Sequence, residues 1–258
     1  GLSSSNTAEG TVSPSSVTFT SGNWNTPQTV TVTGVDDFLV DGAVAYTIVT
    51  AAATSSDLHY SGVNASDVSV TNTDNDAAGI TVTPTSGLTT TEAGGTATFT
   101  LVLTSQPTAN VTIGLSSSNT AEGTVSPSSM TFTSGNWNTP QTVTVTGVDD
   151  FLVDGAVVYS IVTAAATSSD LNYSGVNASD VSVTNSDNDA AGITVTPTSG
   201  LTTTEAGGAA TFTITGVTND GGGNDAVNLE AWDDGTRKAF VTVNVPVGTT
   251  RTVELVAD

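Results

Sequence analysis

Cysteine is absent from this chain of 258 residues, and Lys and Arg together number 3 against 25 Asp and Glu, with a single histidine. No disulfide and no thiolate metal site can form without cysteine. The net charge of −22 excludes nucleic acid and insertion into anionic membranes, both of which require a cationic surface. Aromatic residues make up only 5%, and no apolar run approaches the ~18 residues of a spanning helix. No signal peptide is present, and because the sequence opens inside a repeat, any targeting signal is expected outside it. The lone histidine, His59, is the one candidate base for a Ser-His-Asp triad, but its counterpart in the repeat is Asn172, which accepts no proton from serine. The chain therefore reads as a non-enzyme.

What is present is repetition. Gly1-Leu-Ser-Ser-Ser-Asn6 recurs from Gly114, Val35-Asp-Asp37 from Val148 and Asp74-Asn-Asp76 from Asp187, each at an offset of 113 (114 − 1). The copies differ at Val17/Met130, Ala45/Val158, Thr47/Ser160, His59/Asn172 and Thr73/Ser186, so no acidic residue changes. A third start from Ala191 repeats the sequence from Ala78. A tandem array follows, its unit long enough to close its own core. The expected organisation is a partial repeat over 1–76 lacking its first strands, a complete repeat over 77–189, and a partial or divergent β segment over 190–258. Neighbouring repeats are one another's natural partners, joined through the short Asp-Asn-Asp-Ala-Ala-Gly link.

The fold class is all-β. Apolar and polar residues alternate in Thr96-Ala-Thr-Phe-Thr-Leu-Val-Leu103, Thr142-Val-Thr-Val-Thr146 and Val181-Ser-Val183, while Gly, Pro, Asn and Ser interrupt the runs at short spacing. No segment carries a helical period. About seven strands between Ile80 and Thr184 predict an antiparallel β-sandwich of the immunoglobulin type. Residues 1–76 should then expose half a core.

Acidic residues cluster at predicted strand ends. Asp187 and Asp189, two apart, share one side of an extended strand. Asp149 and Asp150 close another, Asp154 follows in the next loop, and Glu92 precedes the long strand from Thr96. All three basic residues, Arg237, Lys238 and Arg251, lie near the end of the chain. Two unit charges ~4 Å apart repel by about 4 kcal/mol at an effective dielectric of 20, so carboxylates gathered without a cation oppose folding. Oxygen-only, carboxylate-rich ligation selects Ca²⁺ over Mg²⁺, which holds on to its water. Asp170 and Asp180, with Asp57 and Asp67, suit turns and caps instead. Glu9 and Glu122 read as ordinary loop charges.

The order Thr90-Thr-Glu-Ala-Gly-Gly95, alternating strands, Met130-Thr-Phe-Thr133 before a Val-Thr-Val strand, Val148-Asp-Asp150 and a closing Asp187-Asn-Asp189 resembles the Calx-β domain. The resemblance spans 77–189 and most of 1–76. It implies an immunoglobulin-like sandwich binding calcium at one tip, of the kind found in exchangers and in large bacterial surface proteins and adhesins. It further implies that Glu92, Asp149, Asp150, Asp154, Asp187 and Asp189 are ligands, with Asp36, Asp37, Asp41, Asp74 and Asp76 in the first copy. Asn188 at the centre of the closing cluster, and Phe151-Leu-Val153 before a single acid, depart from the richest family pattern and imply fewer ions or weaker binding.

The expected role is a calcium-stabilised extracellular stalk or fibre of a bacterial surface adhesin. Two alternatives stay open. Residues 191 to about 214 repeat the strands that 1–76 lacks, so one chain's tail could complete the next chain's head in a filament linked head to tail by strand exchange; a cut within a longer array is the plainer explanation. The C-terminal segment, with Trp232 and Asp233-Asp234, could instead bind a surface glycan.

Overall fold

The computed structural model describes residues 1–150, 152–204, 206, 209–216, 225–233, 237–245 and 250–256; from residue 214 onward the description is of backbone strands alone. The described residues are all-β. They form β1 (Leu2–Ser4), β2 (Gly10–Ser13), β3 (Thr31–Gly34), β4 (Val44–Thr50) and β5 (Val68–Asn72) in the first copy. The second copy holds β6 (Ile80–Thr83), β7 (Leu88–Thr91), β8 (Thr96–Leu103), β9 (Val111–Ser117), β10 (Gly123–Ser126), β11 (Ser129–Phe132), β12 (Gln141–Gly147), β13 (Val157–Thr163) and β14 (Val181–Ser186). Then come β15 (Ile193–Thr196), β16 (Ala209–Gly216), β17 (Asp225–Asp233), β18 (Arg237–Val245) and β19 (Thr250–Val256). No described helix is long and apolar enough to cross a membrane.

Residues 80–186 build a sandwich from a four-stranded sheet, β10-β12-β8-β6, and a five-stranded sheet, β11-β9-β13-β14-β7. This central sandwich has nine strands rather than seven. The difference lies in two stretches that change sheets: Pro84 follows β6 before β7 begins in the opposite sheet, and Pro127 separates β10 from β11 in the same way. Proline offers no N–H to continue a ladder, so the strand ends there. All pairings are antiparallel except β14 with β7, which run parallel from Val183↔Leu88 to Ser186↔Thr91.

Period-two patterning puts Phe99, Leu101 and Leu103 of β8 and Val143 and Val145 of β12 into the core. They meet Val111, Ile113 and Leu115 of β9, Tyr159 and Ile161 of β13, and Val181 and Val183 of β14 in one cluster. Each such side chain contributes roughly 1.5–3 kcal/mol by leaving water. Trp137 packs on this cluster from the loop before β12.

Residues 1–76 form the smaller sheets β1-β4-β5 and β2-β3. Identical residues differ sharply in exposure between the copies. Phe132 is 0% exposed but Phe19 is 55%, and Tyr173 is 1% exposed but Tyr60 is 62%. In the central sandwich these positions are covered by residues from the stretch 80–110, including Phe99 and Leu101 in the core and Ser105 on the Tyr173 hydroxyl. The last strands form the sheets β15-β16-β19 and β17-β18. The Trp232 side chain and Asp234, named above for a glycan site, lie outside the described residues.

Candidate metal centre

One pole of the central sandwich gathers the ends of β7, β12 and β14 and the start of β10. Two glycines let these backbones meet: a Cβ at Gly147 would collide with the Thr91 carbonyl, and one at Gly123 with the Tyr159 phenol. Beneath the pole lies a buried polar lattice. Asn185 donates from Nδ2 to the Val148 carbonyl at 3.1 Å and to Glu122 Oε2 at 3.3 Å, and its Oδ1 accepts Thr90 Oγ1–H at 2.9 Å. Asn185 thus fixes both the backbone entering Asp149 and the Glu122 carboxylate.

Above this lattice the acids converge. Glu92, Asp149 and Asp189 place carboxylate oxygens within 4.8 Å of one another, and Glu122, Asp150 and Asp154 do the same. Asp187 stands between their loops, accepting the Gly155 N–H at 2.9 Å and the Asp189 N–H at 2.6 Å. All six residues picked out by spacing therefore sit at one pole. The reading of Glu122 as a loop charge is corrected: it is only 4% exposed and faces Asp150 and Asp154. A Thr-Ala-Glu-Gly turn carries no local sign of burial, which arises from packing under Val148 and Asn185.

The first copy repeats half of this arrangement. Glu9, Asp37 and Asp41 form a third group with oxygens within 4.8 Å, so Glu9, too, belongs to the site rather than to an ordinary loop. A cleft of about 270 Å³ is lined by Glu9, Asp36, Asp37, Asp41, Asp74 and Asp76. Asp74 accepts the Gly42 N–H at 2.9 Å and the Asp76 N–H at 2.7 Å, matching Asp187.

The electrostatics sort the acids into two kinds. The Asp189 and Gly155 amides hold Asp187 below the ordinary carboxylate range, and the Asp76 and Gly42 amides do the same for Asp74. Burial raises Asp189, and the charges of Asp149, Asp187, Asp150 and Asp154 raise it further. Burial also raises Glu92, against the opposing pull of the Asn188 N–H, with the charge of Asp187 next. Asp76 and Asp41 are raised by burial and by their acidic neighbours. The site thus resists its own ionisation, and Asp189 Oδ2 is buried with no hydrogen-bond partner. A carboxylate oxygen withdrawn from water and left unpaired is costly unless a cation meets it, so these donors fit a hard divalent ion.

The remaining acids hold backbone amides, Asp170 and Asp57 in local turns and Asp170, Asp180 and Asp67 across longer separations. Asp170 accepts the Thr108 N–H at 2.8 Å and the Asn172 N–H at 2.9 Å, and Asp180 accepts the Thr163 N–H at 2.8 Å. Asp57 and Asp67 accept amides of His59 and Thr50. His59 is exposed.

No family model matches the sequence, and no curated protein matches it. Among solved structures, the chain is similar to CBD12 from CALX1.2, at 13% identity and a TM-score of 0.35, over 69% of this chain and 75% of that one. It is similar to the apo-form Calx CBD1 domain at 14% identity and a TM-score of 0.35, over 44% of this chain and 100% of that one. The surface layer protein SbsC, domains 1–6, is similar over 94% of this chain and 28% of that one, at 15% identity and a TM-score of 0.30.

Proposed function

We propose that this chain is part of a calcium-stabilised extracellular array, in which β-sandwich repeats joined end to end form a stalk or fibre of a bacterial surface adhesin. The observation that carries this reading is the pairing of two carboxylate groups at one pole of the central sandwich, with Glu92 3% exposed and Asp189 Oδ2 buried and unpartnered. No Lys or Arg precedes Arg237, so no ammonium or guanidinium side chain of the first 236 residues balances them.

A bound calcium ion supplies positive charge and flexible oxygen coordination. Glu92, Asp149 and Asp189 would hold one ion, and Glu122, Asp150 and Asp154 a second. Asp187 holds the Gly155 and Asp189 backbone amides between the two groups. The placement in a bacterial surface protein draws on the Calx-β resemblance of the sequence. The test is thermal melting of the chain with excess Ca²⁺, with excess Mg²⁺ and with chelator. A calcium-specific rise in the midpoint is expected, and coincident midpoints overturn the reading.

A further inference from the structure

Phe38 is the one described residue other than glycine with a positive φ, at 94°. That conformation is strained for an aromatic residue and persists only where surrounding contacts impose it. Within its own copy the Leu39 N–H donates to Asp37 Oδ1 at 2.8 Å across this residue, and the further contacts come from the second copy. The Phe38 carbonyl accepts the Gln106 N–H at 2.8 Å, and its ring lies 5.7 Å from that of Trp137, tilted by 47°. Leu39 forms a parallel bridge with Gln106, and the Val40 carbonyl accepts Asn172 Nδ2–H at 2.9 Å. Gln106, Trp137 and Asn172 come from three separate loops at the pole of the central sandwich opposite its acidic residues.

We propose that residues 38–40 of one repeat are a plug that locks into a socket formed by Gln106, Trp137 and Asn172 of the next. Successive repeats are then held at a fixed angle by uncharged contacts in addition to the covalent link. The interface is heterologous, plug on one repeat and socket on the next, so it propagates in one direction along the array. Both halves are written into the repeat: Phe-Leu-Val recurs at 151–153, and Gly-Asn-Trp stands at 22–24 and 135–137. Gly-Asn-Trp does not occur after residue 137, so the segment from 190 lacks this socket motif. The variation of Asn172 with His59 also fits, because an imidazole retains an N–H donor for the plug carbonyl. The lock rests on these contacts and not on a bound ion; Asp37 and Asp41 of the acidic group flank the plug, which is why the test is run under chelator.

The absence of cysteine makes the test direct. Spin labels at Ala45→Cys and Val158→Cys, twin exposed positions, report the distance between the copies in the full chain under chelator. The parent is expected to give one narrow distribution. Phe38→Ala and Asn172→Asp should broaden it at least about two-fold, toward the free motion of unlocked domains, whereas Asn172→His should keep it narrow. Thermal midpoints recorded alongside verify that each variant is folded; Phe38 is 53% exposed, so its truncation leaves the core in place. Equal widths for the parent, Phe38→Ala and Asn172→Asp overturn the proposal, as does Asn172→His behaving like Asn172→Asp.

Discussion

Glu92 Oε2 accepts the Asn188 backbone N–H at 2.9 Å, tying the opening of the repeat to its close across 96 positions. The contact explains why asparagine at the centre of the closing cluster is compatible with the site: position 188 contributes its amide, while Asp187 and Asp189 supply the carboxylates. On the proposed reading, Glu92 would link ion binding to closure of the sandwich.

Calcium at about 100 times its dissociation constant should stabilise a site by about 2.7 kcal/mol, which raises the melting midpoint of a sandwich the size of the central one by about 10–20 °C. Differential scanning calorimetry with Ca²⁺, Mg²⁺ and chelator measures this, and the magnesium trace should lie close to the chelator trace.

Glu122→Gln and Glu92→Gln keep side-chain volume and remove one anionic ligand each. Calcium titration calorimetry on the parent should resolve the three groups formed by Glu92, Glu122 and Glu9 with their aspartates. Each substitution should remove one of them. A stoichiometry unaffected by Glu122→Gln would return that residue to the role of a loop charge.

Acid should act oppositely on the two states of the pole. Burial and like charge raise Asp189 and Glu92. Without metal, their contribution to stability is therefore fully present below their unfolded values and is lost as pH rises through their folded values. With calcium bound, protons compete for the same oxygens and lower affinity. The gap between calcium and chelator midpoints should close as pH falls from neutral through the carboxylate range. Melts at stepped pH measure the closure.

Tyr173 links two loops away from the acidic pole. Its hydroxyl donates to the Ser105 carbonyl at 2.7 Å and accepts the Ser105 N–H at 3.1 Å, with Ser105 fully buried. Tyr173→Phe leaves that amide unpaired and should cost about 1–3 kcal/mol in urea unfolding. Tyr60→Phe, at the exposed twin position, should cost almost nothing.

The twin phenylalanines give a matching test of packing. Phe132→Ala should destabilise the central sandwich by about 3–5 kcal/mol, and Phe19→Ala should cost under about 1 kcal/mol. Urea unfolding of both variants separates the two values.

Strands were legible wherever one face is buried. The alternation in Thr96–Leu103 follows directly from Phe99, Leu101 and Leu103 facing the core. Pro84 and Gly87 mark the break between β6 and β7, but the transfer of β7 to the opposite sheet shows only in its pairing with β14. The acidic pole was largely readable, since Asp149, Asp150, Asp187 and Asp189 sit at strand ends. Glu9 and Glu122 were not, because their burial depends on Asn72 and Asn185, each 63 positions away. Nor was the Phe38–Trp137 contact, which depends on how two folded repeats abut.

The parallel pairing of β7 with β14 has a consequence for a chain under load. The polypeptide enters the central sandwich at β6, near the Gln106 end, and leaves from β14 at the Asp187 end. Tension along the array would drag β14 lengthwise past β7 and β13, in shear, so that the rungs from Val183 to Ser186 share the force instead of unzipping in turn. Rupture would then demand many bonds at once, a geometry suited to a tether.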